Sequence, residues 1–328
     1  MSAFRKTFVY LRVMNRLRQL RPDLLYINQA GSLRTGAMYA RWLNLPVVCQ
    51  VQTLEDAKWL SGRPELQNVV HAFICNSMYI ADRTNVSPQK KCVLYQGMQP
   101  DRVENTRRNA VRLAAKGNVP PESFRFGILG RIAVSKGHYL LIDAIRELGE
   151  RLSASQFVVI GEGLTPADTK RYQQSVSEAG LADRFVFRGY QKNIEKELLA
   201  IDGLLIPSPA EPLGRVLFDA AEFGIPVVSS SGGGLGEVSK RFGIGVPFET
   251  ENPASLADAM VNLAEKFEHH RDEFATAAVR MMERLKMDSY LNDVVEILES
   301  GINRSPCTKT WLGNDEPVGL AVRTERAS

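Results

Sequence analysis

Short apolar strands alternating with helical patterns along the chain predict an α/β protein with parallel sheets in two domains. Three observations carry this. Apolar runs of four or five residues recur between longer helical segments. A polar, Arg- and Ala-rich stretch from Glu104 to Glu122, closed by Pro120-Pro121, separates two such series. The hydrophobic content of 44% over 328 residues is enough for two cores.

In the first series, strands are expected near Leu24 to Asn28, Val47 to Val51, Ala72 to Cys75 and Cys92 to Tyr95, with helices between them. The second series runs from Phe124 to Val246 and continues into helices near Pro253 to His269, Asp272 to Leu285 and Asp288 to Ser300. After about Asn303 the periodicity is lost among Pro, Gly, Thr and charged residues, which predicts a disordered tail. The expected organisation is therefore a first domain over 1–103, a linker over 104–122, a second domain over 123–302 and a tail over 303–328. No internal repeat or low-complexity tract is present.

No run of about 18 apolar residues and no secretory signal pattern occurs, which predicts a cytoplasmic protein, soluble or peripheral at the inner face of a membrane. Cys49, Cys75 and Cys92 fall in strand-like stretches and Cys307 in the tail, without C-x-x-C spacing. Reduced thiols are expected rather than a disulfide or zinc framework. His71, His138, His269 and His270 form no spaced metal-binding set, and the last pair is expected to end a helix facing solvent.

The net charge of +4 conceals an asymmetry. Residues 1–121 carry 18 Lys and Arg against 7 Asp and Glu, a balance of +11, and the remainder carries 23 against 30, a balance of −7. Residues 1–22 hold Arg5, Lys6, Arg12, Arg16, Arg18 and Arg21 with no acid, interleaved with Phe4, Phe8, Leu11 and Leu20. This pattern fits a basic amphipathic helix on an anionic membrane or facing a phosphate-bearing acceptor, and equally a surface helix packed on the sheet. No nucleic-acid motif accompanies the charge, so no nucleic-acid partner is expected.

The most informative stretch runs from Glu211-Pro-Leu-Gly-Arg through Asp219 to Gly224-Ile-Pro226. Pro212 suits a first helical position, and Gly224 with Pro226 ends the helix before a buried strand. Such a helix start offers the free N–H groups of Leu213, Gly214 and Arg215 to a phosphate. Asp219 then lies about 9 Å along the helix, at ~1.5 Å per residue, so Glu211 and Asp219 reach different parts of one elongated ligand. An ordinary helix with one solvated acid and one N-terminal acid would show the same residues.

A second segment, Phe124-Arg-Phe-Gly-Ile-Leu-Gly130-Arg131-Ile-Ala-Val-Ser-Lys136-Gly137-His138, reads as a buried strand, a Gly-containing turn and a helix start. Arg131 and Lys136 sit at the carboxyl end of that strand, where open parallel sheets bind ligands, and both can neutralise a diphosphate. Two solvated loop charges are the alternative.

Together the two segments resemble the family 4 retaining glycosyltransferases (glycosyl transferases group 1), which have the GT-B fold of two Rossmann-like domains. The likeness runs from 124 to 302 through Leu140-Leu-Ile-Asp-Ala144, Phe157-Val-Val-Ile-Gly161-Glu-Gly163, Phe185-Val-Phe-Arg-Gly189-Tyr190 and Gly203-Leu-Leu-Ile-Pro207-Ser208. The resemblance implies transfer of a sugar from a nucleotide diphosphate donor, a UDP- or GDP-sugar, to a polysaccharide or glycolipid acceptor, without a metal or a further cofactor. It makes Glu211, Arg131 and Lys136 the catalytic set. Arg131 and Lys136 would hold the diphosphate with Gly130 in the turn and Leu213, Gly214, Arg215 and Val216 at the helix start. Glu211 would orient the sugar, Asp219 would hold the ribose, and Tyr190 would lie near the base or simply pack its ring at a strand end. Asp219 stands where the family has Glu, a carboxylate one methylene longer.

The first domain departs further from the family. The resemblance implies an earlier strand, a Gly-rich loop and additional βα units, so this acceptor-side domain is expected to be incomplete, with an unpaired sheet edge. Gln52 stands where the family commonly has His near the donor sugar, and Gln96-Gly97 where it has Asn-Gly. Gln donates hydrogen bonds but does not change charge near neutrality. An active transferase, a shortened homologue that binds a nucleotide sugar or a partner subunit without turnover, and a sugar-nucleotide epimerase all remain open. The difference between the two halves leads us to expect nucleotide affinity with little transfer unless upstream residues or a partner subunit complete the acceptor side.

Overall fold

The computed structural model describes residues 3–117 and 119–307, with side chains from Phe8 onward. The chain divides into two compact units, one formed by residues up to Gly97 together with those from Met287, the other by Met98–Lys286.

The first unit opens with α1 (Ala3–Leu20), β1 (Leu25–Ile27), α2 (Leu33–Leu43) and β2 (Val47–Val51). It continues through α3 (Leu54–Ser61), α4 (Pro64–Gln67), β3 (Val70–Cys75), α5 (Met78–Arg83) and β4 (Lys91–Val93). Its four strands lie in the order β1-β2-β3-β4 and pair in parallel, with Tyr26 opposite Val48 and Cys49 opposite Phe73. Among the described residues β1 pairs only with β2 and forms one edge. Because side chains alternate along a strand, Val47, Cys49 and Val51 of β2 face one core with Leu33, Leu60 and Phe73. Val48 of the same strand faces another with Ala72, Ile74 and Cys92.

The second unit begins with α6 (Pro100–Ala114) and β5 (Arg125–Leu129), followed by α7 (His138–Leu148), β6 (Gln156–Ile160), α8 (Pro166–Glu178) and β7 (Phe185–Gly189). Next come α9 (Glu195–Leu198), β8 (Gly203–Ile206), α10 (Arg215–Phe223), β9 (Val227–Ser230), α11 (Gly233–Phe242) and β10 (Val246–Phe248). α12 (Pro253–Glu265) and α13 (Phe267–Arg284) complete it, and α14 (Met287–Ile302) returns to the first unit. The six strands are all parallel, in the order β10-β9-β8-β5-β6-β7. Phe124, Phe126 and Phe157 are fully buried at the centre, with ring centroids 4.6 and 5.8 Å apart along the row. Aromatic pairs at this spacing add to the burial of their area.

Several expectations are corrected. Most of the 104–122 segment is not a linker but helix α6, which packs on α13 and α10. It buries only Val103, Thr106 and Leu113, and its Arg107 pairs with the distant Glu283 at 2.8 Å; just beyond its end Lys116 pairs with Asp202 at 2.7 Å. The last helix does not belong to the second domain: α14 lays Ile297 against Val48 and Ile74, and Tyr290 OH accepts from Gln50 Nε2 at 3.0 Å. Of the expected tail, residues 303–307 are described and 308–328 lie outside the described residues. Cys307 is buried, its sulfur 3.4 Å from that of Cys92. Cys49 and Cys75 are buried as expected, which pushes both thiols up to about 12 and keeps them protonated.

The basic first segment forms α1, an expected helix, but Phe8, Leu11 and Leu20 do not pack on the sheet. From Phe8 onward Met14 is its one buried side chain, and Phe8, Leu11 and Leu20 are exposed. The side chains of Phe4, Arg5 and Lys6 lie outside the described residues. Among the described residues, no helix is long and apolar enough to cross a membrane.

Candidate active site

β5 and β8 are neighbours, and the chain departs from them in opposite directions, to β6 and β7 on one side and to β9 and β10 on the other. At such a reversal the connecting segments diverge and leave a crevice at the carboxyl ends of the two strands. Gly130 and Arg131 follow β5 directly, and the loop after β8 carries Glu211. The fold therefore brings together the two segments that the sequence singled out.

The loop after β5 tightens into a turn at Val134–Lys136 and ends at Gly137, whose φ is 75°. Pro207 O lies 2.4 Å from where a Cβ on Gly137 would sit, so no other residue fits without moving the backbone. This approach delivers Lys136 to Glu211, and the two form an ion pair. Glu211 is the more buried partner. Arg131 is exposed and, among the described residues, has no ion-pair partner.

The helix after Glu211 starts later than its sequence suggests. Pro212 is not its first residue: α10 begins at Arg215, with Gly214 before it at φ 80°. That left-handed backbone breaks the helix, and a Cβ at Gly214 would meet Leu235 Cδ1 at 2.7 Å. The N–H groups at the helix start are thus those of Arg215 and Val216, and Leu217 N already donates to Gly214 O at 2.9 Å. Leu213 has a buried side chain and can offer a ligand only its backbone.

Asp219 is not a solvated acid. Arg102 of α6 donates to Asp219 Oδ1 at 2.7 Å and to Glu222 Oε2 at 2.5 Å, while Asn105 Nδ2 donates to Glu222 Oε1 at 3.0 Å. Burial pushes the Asp219 carboxyl above its usual range against the opposing pull of Arg102. Asp219 Oδ2 makes none of these bonds. Tyr190 stands exposed just beyond β7, and its N–H donates to Glu162 Oε1 at 3.1 Å.

Sequence reasoning overlooked three features. The Ser231-Gly-Gly-Gly234 run after β9 leads into α11, and Gly234 N donates to Glu211 O at 2.7 Å, fixing the backbone of the acid. Three consecutive glycines after a buried strand were the available signal. Arg102 had no local signal, since its partners lie more than a hundred residues away. The histidine pair begins α13 rather than ending a helix, with His269 exposed and His270 largely buried. His269 Nε2 and Glu273 Oε2 are 3.3 Å apart, and ligand atoms of His269, His270 and Glu273 all lie within 4.8 Å of one another, a possible cation group the sequence reading did not anticipate.

Residues 112–281, more than half of the chain, match the family described as glycosyl transferases group 1. The chain belongs to that family. Among curated relatives of this group 1 chain, the 2-deoxystreptamine glucosyltransferase of Streptomyces kanamyceticus is 37% identical over 146 residues, covering 44% of this chain and 37% of that protein. The glycogen synthase of Mycobacterium tuberculosis is 26% identical over 258 residues, 74% of this chain and 60% of that protein. The group 1 chain thus spans between 37 and 60% of these two relatives. Its fold is that of HepE from Anabaena, solved in complex with UDP, at a TM-score of 0.72, 20% identity and coverage of 89 and 82% of the two chains. Sucrose-phosphate synthase from Thermosynechococcus elongatus gives 0.73 at 17% identity, with coverage of 90 and 78%. The architecture is GT-B.

Proposed function

We propose that this chain transfers a sugar from a UDP- or GDP-sugar to an acceptor hydroxyl in polysaccharide or glycolipid assembly, with retention at the anomeric carbon. The observation that carries this reading is the Lys136–Glu211 pair at the point where the strand order of the second unit reverses, with Arg131 and the start of α10 supplied by the same two loops. Family membership, a glucosyltransferase among the relatives and a UDP complex among the structural neighbours support it.

In this reading Arg131, Lys136, Arg215 and the N–H groups of Arg215 and Val216 receive the diphosphate, whose negative charge grows as it leaves. The acceptor oxygen bonds to the anomeric carbon on the face from which the diphosphate departs, the bond to the phosphate oxygen breaks, and the acceptor proton passes to that oxygen. Glu211 orients the sugar, Asp219 offers Oδ2 to the ribose hydroxyls, and Tyr190 lies beside the base. Neither a catalytic metal nor a further cofactor enters the proposal.

Calorimetry with UDP and GDP in the absence of divalent cation tests donor binding. Lys136→Ala is expected to weaken the preferred nucleotide by about 1.5 to 3 kcal/mol, the worth of a hydrogen bond to a charged group. Unchanged affinity would remove Lys136 from the site.

We also place the protein at the cytoplasmic face of a membrane through α1, whose exposed Phe8, Leu11 and Leu20 accompany Arg12, Arg16 and Arg18. Sedimentation with liposomes should require anionic lipid and decline as salt rises from about 0.05 to 0.5 M, because exposed charges are screened over that range. Binding indifferent to lipid charge and to salt would sink this placement.

A further inference from the structure

In the first unit three of the four parallel strands hand over to their loops through a carboxamide. Asn28 follows β1, Gln52 follows β2, Asn76 follows β3, and Gln96 comes three residues after β4. Carboxyl ends of parallel strands are where such sheets take their ligands, and here the row of side chains is neutral.

Three of these residues form one hydrogen-bonded array. The Gln52 side-chain amide donates to both the carbonyl and the Oδ1 of Asn28 at 3.4 Å and also to Gln50 Oε1, while Asn76 Nδ2 donates to Gln52 O at 3.0 Å. Gln50 is held in turn by Tyr290 OH. The array fixes the direction of each amide and uses only part of its capacity, since a carboxamide has two donor hydrogens and an oxygen with two lone pairs. Gln52 Oε1 and Asn28 Nδ2 take no part in these bonds, and Asn76 Oδ1 is a buried acceptor with no donor.

The charges nearby do not form an anion site. Asp56 is buried and spent on the N–H groups of Gln52 and Thr53, both at 3.3 Å. Arg34 and Glu55, in the first turns of α2 and α3, are exposed and opposite in sign. A phosphate group calls for converging cations, the role proposed above for Arg131, Lys136 and Arg215 in the second unit. Carboxamides instead match hydroxyls, because each partner both donates and accepts.

We propose that the carboxyl edge of the first unit binds an uncharged polyhydroxylated ring, a sugar or cyclitol without phosphate, and that Asn28, Gln52 and Asn76 are its hydrogen-bonding set. The proposal rests on reading the chain as a sugar transferase, and it assigns the chemical class of the acceptor group that meets this unit. Gln52, neutral at every physiological pH, is then a recognition residue for hydroxyls.

Ligand-observed NMR on the full chain with UDP present tests this, with methyl glucoside and myo-inositol compared against glucose 6-phosphate and myo-inositol 1-phosphate. The neutral rings are expected to bind at least about fivefold more tightly than their phosphorylated counterparts, and Asn28→Ala and Asn76→Ala each to weaken them about tenfold through loss of a paired hydrogen bond. Asn28 is exposed at a strand end, so its variant keeps the fold even if Asn76→Ala does not. Phosphorylated rings binding as well as neutral ones, neither class binding, or Asn28→Ala leaving ring affinity unchanged would each overturn the proposal. A UDP titration of the same sample reads the donor site separately: a chain that binds UDP but no ring fails this proposal alone, and a chain that does not bind UDP fails the donor reading.

Discussion

Glu211→Gln is expected to bind UDP more tightly than the unaltered chain while transferring sugar at least about a hundredfold more slowly. The carboxylate of Glu211 pairs with Lys136, so it competes with a diphosphate for that cation and repels the diphosphate itself. The amide keeps the shape and removes the charge. For a partly exposed pair the gain is about 0.5 to 1 kcal/mol, or roughly two- to fivefold in affinity. Transfer suffers for the opposite reason. In the proposed transfer, positive charge develops on the sugar as its bond to the diphosphate breaks, and losing one preorganised electrostatic partner costs about 10² to 10³ in rate. Calorimetry with UDP and initial rates with a UDP-sugar donor separate the two effects. Equal UDP affinity would mean that Glu211 does not restrain Lys136, and an unchanged rate would detach Glu211 from the reacting sugar.

The second large effect concerns stability. Arg102→Ala leaves Asp219 and Glu222 as neighbouring acids without their shared cation and is expected to destabilise the protein by about 2 to 3 kcal/mol, below the range for fully buried pairs because these side chains keep some exposure. The deficit should shrink on acidification. Burial already holds the Asp219 carboxyl above its ordinary value of 3.8 in the folded state, so the folded chain takes up this proton more readily than the unfolded one. The stability linked to this group is therefore present at low pH and is lost as pH rises from 3.8 through the higher folded value. Without Arg102 that value rises further, and the window widens toward neutrality. Urea unfolding at pH 7 and pH 5, with Arg102→Ala alone and combined with Asp219→Asn, measures this. A deficit insensitive both to pH and to the second substitution would assign Arg102 to packing between α6 and α10 alone.

The two segments that meet at the candidate site were legible because their signals are local. Strand, Gly-containing turn and cation occur within fifteen residues in the Phe124 to His138 segment, and acid and helix start are adjacent from Glu211 onward. What escaped the sequence depends on distant residues. α6 reads as a linker because its apolar stripe is thin and its ion-pair partners Asp219, Glu222 and Glu283 lie far along the chain. The helix at Pro212 was displaced to Arg215 by a left-handed Gly214 whose closest neighbour, Leu235, belongs to α11. α14 was expected as the last helix of the second domain, yet its anchors are Gln50, bonded to Tyr290, and His71, whose Nε2 lies 3.0 Å from Ser300 Oγ. Short apolar strands, by contrast, were read within a residue or two wherever β-branched residues clustered, as at Val47 to Val51.

The return of α14 also orders the events of synthesis. All six strands of the second unit come from one uninterrupted stretch, and its two ends meet where Met98 N donates to Leu285 O at 2.5 Å. That unit has everything it needs once Leu285 has left the ribosome. The first unit, though translated earlier, must wait with Val48, Ala72 and Ile74 uncovered on one side of its sheet until Ile297 and Cys307 emerge. Domains generally close as units during translation, so the later-made half is the first to finish, and the early half spends the interval with an open apolar face that chaperones would recognise.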